Sequence, residues 1–285
     1  MPTDPSVLTD PTPPNWDSID LPASWPDNLE LNTFPDLRFL LSRVFGARTR
    51  VELPEDMPGR DLVPKYMLQE FHNLPNGYYS DSLTRGYVRT FDTIMLGEMT
   101  SARDMVANTL KGVGSAIDVG CGGGRVAKAM VEQGIGDIWG LDPSPYLLKQ
   151  ASEETPKVKF IQGAAENLPF PDQRFGGIGI CFLLHEIPPK HASTALKEFH
   201  RVLEPGGLIS IAEPSPVQMQ ESSFSLFRKY GWKGPYFKLL ARFVYEPFVE
   251  AWHQRDLKKW FKEHGFELID DNVGMPLRHI VARKL

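Results

Sequence analysis

From about residue 114 onward the chain alternates between short apolar runs and longer segments with helical spacing. The runs SAIDV (115–119), DIWGLD (137–142), VKFIQG (158–163), GGIGICFLL (176–184) and GLISIAEP (207–214) read as strands. Between them, GRVAKAMVEQG (124–134), SPYLLKQASEE (144–154) and PKHASTALKEFHRVL (189–203) read as helices. Ser144 followed by Pro145 is a helix start signal, because a hydroxyl caps and proline is pre-shaped for the first turn. Alternation of this kind predicts a parallel sheet covered on both faces. FELIDDNV (266–273) and RHIVARKL (278–285) read as two further strands, a hairpin closing one edge. The expected fold is therefore α/β, a doubly wound, mostly parallel seven-stranded sheet. An N-terminal helical segment precedes it, and an aromatic-rich helical lid, about 216–265, is inserted after strand five.

Ahead of the sheet the pattern is different. Residues 1–35 hold eight prolines and six acidic residues, with no Lys or Arg before Arg38, which predicts a disordered acidic tail. Residues 36–110 are expected to form a helical cap. It would comprise a short amphipathic helix over 36–48, a Pro- and Gly-rich connector, a helix from 65, a loop at LPNG and a longer helix. The long helix carries a stripe at Phe91, Ile94, Met95, Met99 and Met105. Residues 111–285 form the main domain.

Composition narrows the function classes. A net charge of −5 and a pI near 5.8 offer no basic field for nucleic acid or an anionic membrane. Two cysteines in 285 residues suggest a reducing compartment, and neither a signal peptide nor an apolar run long enough for a bilayer is visible. The expectation is a cytoplasmic protein acting on a small molecule; the sequence is silent on oligomeric state.

The chemistry gathers at AIDVGCGGGRVAKAM (116–130), where four glycines fall in the five positions 120–124. In a doubly wound sheet the first strand-to-helix turn lies beyond the strand ends, where ligands bind. Glycine there lets backbone approach a ligand and takes positive φ cheaply, while the following helix presents free N–H groups to an anion. Gly122 to Ala127 satisfies the dinucleotide pattern G-x-G-x-x-[GA], and Asp118 to Gly124 satisfies D-x-G-x-G-x-G equally well.

Four more segments stand in order after it: GLDPSPYLL, GAAENLPFPDQRF, CFLLHEI and FHRVLEPGGLISIAEP. Together the five resemble the class I S-adenosylmethionine-dependent methyltransferases. The small-molecule branch with the ubiquinone and menaquinone C-methyltransferases is closest in pattern. The resemblance is strong over about 110–212. One departure is Phe175-Gly176, where the family usually reads Phe-Asp.

The resemblance implies S-adenosyl-L-methionine as cofactor and assigns it Asp118, Gly120, Cys121, Gly122, Asp142, Pro143, Ala165, Glu166 and Phe182. Asp118 would meet the ammonium group, Asp142 the ribose hydroxyls, and Pro143, Ala165 and Glu166 the adenine. His185, just past strand four, is the candidate general base, since an unperturbed imidazole titrates near neutrality. Glu186 is not expected to pair with it, because neighbours on a strand face opposite ways. Tyr78, Tyr79, Arg85 and Tyr87 are candidate substrate contacts. HEIPPKH does not read as a metal motif: His185 and His191 are separated by Pro188 and Pro189, so no metal is expected there.

The expected function is methyl transfer to a hydrophobic or aromatic acceptor, at carbon or oxygen. An NAD-dependent oxidoreductase, resting on GGGRVA, and an inactive cofactor-binding protein are the alternatives.

Overall fold

The computed structural model describes residues 9–285. Helices α1 (Phe34–Phe45), α2 (Asp81–Ile94) and α3 (Glu98–Thr109) come first. Then follow β1 (Ser115–Val119), α4 (Arg125–Glu132), β2 (Asp137–Asp142), α5 (Pro145–Glu154), β3 (Lys159–Gln162), β4 (Phe175–Cys181), α6 (Pro189–Val202) and β5 (Leu203–Pro214). The insertion holds α7 (Val217–Gln220), α8 (Ser223–Tyr230), α9 (Lys233–Phe243), α10 (Val249–His253) and α11 (Leu257–Glu263). Strands β6 (Phe266–Val273) and β7 (Leu277–Lys284) end the chain.

The seven strands form one sheet in the order β3-β2-β1-β4-β5-β7-β6. Strands β1 to β5 pair in parallel, whereas β7 runs antiparallel to both β5 and β6. The strand order reverses between β1 and β4, which opens a crevice at their carboxyl ends. Each face of the sheet carries its own apolar core. One is built on Ile117, Ile178, Ile209 and Phe199, the other on Val106, Val126, Met130 and Phe160. Ser144 caps α5 as its sequence predicts, accepting the Leu147 N–H at 3.3 Å. Gly176 lies in β4, where a Cβ would stand 3.1 Å from Val113, so it is packed against the strand's approach rather than exposed to a ligand.

Three expectations ahead of the sheet change. The first concerns the tail: its residues 1–8 lie outside the described ones, but 9–35 are docked rather than disordered. Trp16 is buried in the second core and its indole N–H donates to the Phe160 carbonyl at 2.9 Å. Lys149 and Tyr146 of α5 donate to the carbonyls of Ile19 and Pro22, and Asp27 accepts from Ser80 and Ser82 at the start of α2. The mean composition hid these anchors, and a proline-rich segment has less chain entropy to lose on ordering.

Secondly, no α-helix begins at 65. That stretch is broken into single turns at Lys65–Met67 and Phe71–Asn73, because His72 and Asn73 both take positive φ. Thirdly, the long helix splits at Leu96 and Gly97, whose φ values of 53° and 79° end α2 and begin α3. Its stripe is divided accordingly: Met95 and Met99 are buried, whereas Ile94 and Met105 are exposed. Helix α3 then lies on the sheet itself, with Val106 and Leu110 against the bare backbone of Gly179 and Gly177.

Removing the Trp16 ring should expose both its pocket and the Phe160 carbonyl. We expect Trp16→Ala to cost about 3 kcal/mol, in line with large aromatic-to-alanine changes in cores. Chemical denaturation measures it; a loss near zero would mean that the segment contributes nothing to the body's stability.

Candidate active site

The glycine turn carries the chain from β1 into α4. Gly120, Gly122 and Gly124 all take positive φ, at 69°, 50° and 74°. Two of them are also crowded: a Cβ on Gly120 would lie 2.7 Å from Leu183, and one on Gly124 would lie 2.9 Å from Ala151 and Phe160. Gly122 instead faces open space. It is the position where bare backbone borders the crevice.

Two buried carboxylates flank this turn. Asp118 accepts the Ala127 N–H of α4 at 2.9 Å through one oxygen, while its other oxygen is buried without a partner. Asp142, at the end of β2, accepts the N–H of Ser144 at 2.8 Å and of Gly122 at 2.9 Å. Burial pushes Asp118 up to about 7, against the pull of the Ala127 hydrogen bond and with help from the nearby Asp142. Burial likewise raises Asp142 to about 6, opposed by the hydrogen bonds from Ser144 and Gly122.

Asp118, Gly120, Cys121, Gly122, Asp142, Pro143, Ala165 and Phe182 all line one cleft of about 1030 Å³. Glu166 does not. Its carboxylate turns to His191, 2.9 Å away. Cys121 is a packing residue, its thiol held against ionisation by burial. Phe182 has a φ of 59°, an unusual conformation for an aromatic residue, and turns out of β4 beside the cleft.

The expected substrate contacts divide. Tyr78 and Tyr87 line the cleft. Tyr79 is fully buried beside Val51, Met57 and Tyr146, and Arg85 is committed to Asp81 and Glu153 on the outer side of α2. Neither lines the cleft, and Arg103 and Arg125 are its cationic lining instead.

A second cavity, of about 820 Å³, adjoins the first and shares Tyr87, Phe91 and Phe182 with it. Its remaining walls are mostly apolar: Ile94 and Met95 from the α2 end, and Phe237, Leu240, Ala241 and Val244 from α9 and its exit. His72 and Glu246 are its ionisable lining groups. The aromatic insertion thus divides its labour. Phe237 lines the chamber, Trp252, Trp260 and Phe261 fill the core, and Phe224 and Trp232 remain exposed.

His185 is buried between the cavities and is not an unperturbed imidazole. Its Nδ1 lies 2.5 Å from Glu213, the last acid of β5, and its Nε2 lies 3.5 Å from Glu246. Burial alone would lower its pKa, but the carboxylates of Glu213 and Glu246 outweigh that and raise it well above the ordinary value. With a carboxylate facing each ring nitrogen, it is not placed as a free general base. Glu186 lies in the turn after β4, not on the strand, and points to His72 at 3.2 Å. His72, Glu213 and Glu246 escaped the sequence reading. Glu213 had a signal, an acid at the end of an apolar strand; His72 and Glu246 had none.

The comparisons agree with this geometry. Residues 117–211 match the family described as a methyltransferase domain. An uncharacterised methyltransferase of Synechocystis is 34% identical over 34% of this chain and 45% of its own length. A demethylmenaquinone methyltransferase of Chlorobaculum tepidum is 36% identical over 34% of this chain and 40% of its own length. The chain thus matches less than half of either of these relatives. For the demethylmenaquinone methyltransferase of Geobacillus kaustophilus the match is longer: 34% identity over 53% of this chain and 70% of that one. The chain belongs to the class I S-adenosylmethionine-dependent methyltransferases. The cofactor of this family is S-adenosyl-L-methionine, and the cleft suits it. The unpartnered Asp118 oxygen is a ready acceptor for an ammonium group, and Gly122 leaves room for a ligand on the backbone.

The buried Asp118 makes the methyltransferase sensitive to pH. Its native pKa lies above the roughly 3.9 of an unfolded chain. Its contribution to stability is therefore fully present below that value and is lost as pH rises through about 7. Asp118→Asn should melt higher than the wild type near pH 8 without ligand, and the difference should shrink toward pH 4. Thermal melts across that range check it; a pH-independent difference would refute the assignment.

Proposed function

We propose that this chain transfers a methyl group from S-adenosylmethionine to a small hydrophobic or aromatic acceptor, at carbon or oxygen. One observation carries the reading: the cofactor cleft adjoins a second, largely apolar chamber, with Tyr87, Phe91 and Phe182 common to both. Its walls are mostly apolar with a few polar groups, as small-molecule sites are. The demethylmenaquinone methyltransferases among its relatives favour a ring-bearing acceptor.

The bound cofactor supplies an electrophilic methyl group on a sulfonium. Transfer is an in-line displacement, so the protein's task is alignment and exclusion of water. In this reading Asp118 holds the ammonium, and Asp142 meets the ribose hydroxyls with lone pairs left over from Ser144 and Gly122. Pro143 and Ala165 border the adenine. Phe182, fixed by its left-handed backbone, and Phe91, 6.1 Å away edge-on, form an apolar partition beside the methyl group. Tyr78 and Tyr87 orient the acceptor from the α2 side.

Calorimetry with S-adenosylhomocysteine, with NAD in parallel, tests the cofactor half. We expect micromolar binding of S-adenosylhomocysteine, none of NAD, and at least roughly tenfold weaker binding in Asp142→Ala, the loss of a charge-assisted hydrogen-bond acceptor. Binding of NAD alone would sink the reading.

The chamber has its own test. Ala241→Trp should lower kcat/KM for quinol and phenol acceptors by roughly a hundredfold by filling the site, with S-adenosylhomocysteine affinity unchanged. Unchanged turnover would place the acceptor elsewhere.

A further inference from the structure

The buried polar cluster between the two cavities is more elaborate than a positioned base requires. Four side chains from three parts of the chain meet there. His72 comes from the broken turn before α2, His185 and Glu186 from the turn after β4, and Glu246 from the loop between α9 and α10. Both imidazoles are oriented from behind. His185 Nδ1 is held by Glu213 at 2.5 Å, and His72 Nδ1 by the Tyr78 hydroxyl at 2.6 Å. This leaves both Nε2 atoms facing one shared carboxylate, Glu246, and His72 Nε2 facing Glu186 as well. His72 Nε2 lies 3.2 Å from Glu186 and 3.4 Å from Glu246, and His185 Nε2 lies 3.5 Å from Glu246. Ligating atoms of His72, His185 and Glu186 all fall within 4.8 Å of one another.

Two accounts of this arrangement are possible, and charge does not separate them. Among the described residues no Lys or Arg pairs with Glu186, Glu213 or Glu246. Buried carboxylates need cations, and either two imidazole protons or one divalent ion supplies two positive charges. Geometry does separate them. An imidazolium donating to a carboxylate closes to about 2.7–2.9 Å. Atoms sharing one metal at bonds of about 2.1 Å stand about 3.0 Å apart at right angles and about 3.4 Å apart at tetrahedral angles. The three separations from Nε2 fit the second pattern. His185 Nε2 in addition makes no hydrogen bond although the residue is fully buried, an orphaned donor or acceptor that calls for a partner. The carboxylate behind His185 is also the usual support of a metal-binding imidazole, fixing the ring and raising its basicity.

We propose that His72, His185, Glu186 and Glu246 bind one divalent first-row transition metal ion. Two imidazoles with carboxylates suit zinc, iron(II), cobalt or manganese, and not calcium or magnesium. His72 and Glu246 line the apolar chamber and Glu186 lines the cofactor cleft, so the ion stands where the two meet. Expansion to a fifth position takes an oxygen of the acceptor, a hydroxyl or enol, and anchors it beside the methyl group. That last role rests on the methyltransferase reading; the ion's binding does not. His185 and His191 remain unsuited to share a metal, since His191 is exposed and paired with Glu166.

The test uses the full chain, stripped with a chelator and titrated with Zn²⁺ by calorimetry and with Co²⁺ by visible absorption. S-adenosylhomocysteine binding is measured on every sample. We expect one ion per chain and a d–d spectrum from Co²⁺. Glu246→Gln and His72→Ala should weaken uptake by roughly a hundredfold or more, and Glu213→Gln, through its support of His185, by roughly 10- to 100-fold. His191→Ala should leave uptake unchanged. Retained S-adenosylhomocysteine binding shows that a variant is folded, and Glu246→Gln is the conservative change for the case in which His72→Ala fails to fold. Wild-type protein that binds S-adenosylhomocysteine but takes up no ion overturns the proposal, leaving a cluster held by protons. Uptake that survives both Glu246→Gln and His72→Ala overturns it as well. Loss of S-adenosylhomocysteine binding with metal uptake intact would count against the cofactor reading alone.

Discussion

The carboxylate of Glu213 holds the two halves of the site together. It sits at the end of β5, fully buried, and accepts backbone N–H groups from Leu183 at 3.0 Å, Leu184 at 2.7 Å and His185 at 3.3 Å, besides the His185 ring. Those donors belong to the turn that leaves β4, and without an acceptor each would be buried unsatisfied. One acid on a neighbouring strand thus fixes the turn in which Phe182 takes its left-handed backbone and Glu186 points to His72. The cleft lining, the gate between the cavities and the polar cluster all depend on that turn keeping its shape.

In the proposed reading, the cofactor side and the acceptor side are built on different terms. The cofactor side uses strand ends and one glycine turn, rigid elements whose hydrogen bonds are local: Asp118 to Ala127, and Asp142 to Ser144 and Gly122. The acceptor side gathers α2 and the turn before it, the turn after β4 and the loop after α9, joined by side chains and by the His72 N–H donating to the Tyr245 carbonyl at 3.2 Å. The docked segment 9–35 supports the first side from outside, through Trp16 against β3 and Asp27 at the start of α2. The insertion supplies most of the chamber's apolar wall; of its exposed aromatics Phe243 lines the chamber, whereas Phe224 and Trp232 line neither cavity.

This contrast explains what the residues disclosed in order. Alternating runs, the cap at Ser144 and the glycines 120–124 act within a few residues of themselves, so strands, helices and most of the residues that line the first cleft were readable. Glu166 and Arg85 were misplaced because each found a partner remote in sequence, His191 and Glu153, that no local pattern announces. Tyr79 was misplaced for a related reason, its neighbour Tyr78 taking the cleft while it fills a core. The protonation of His185 was unreadable as well, since the carboxylates that set it lie at 213 and 246.

By itself, then, the sequence determined the doubly wound sheet, the family and most of the lining of the first cleft. Periodicity and turn chemistry are short-range, and a methyl-donor cleft in this fold is made from consecutive strand-to-helix junctions. The tertiary structure alone decided which polar groups share a buried space. Tyr78, His72, His185, Glu213 and Glu246 meet because the sheet, the insertion and a broken turn close on one point. Burial there, by stripping water from charged groups, turns ordinary side chains into a site.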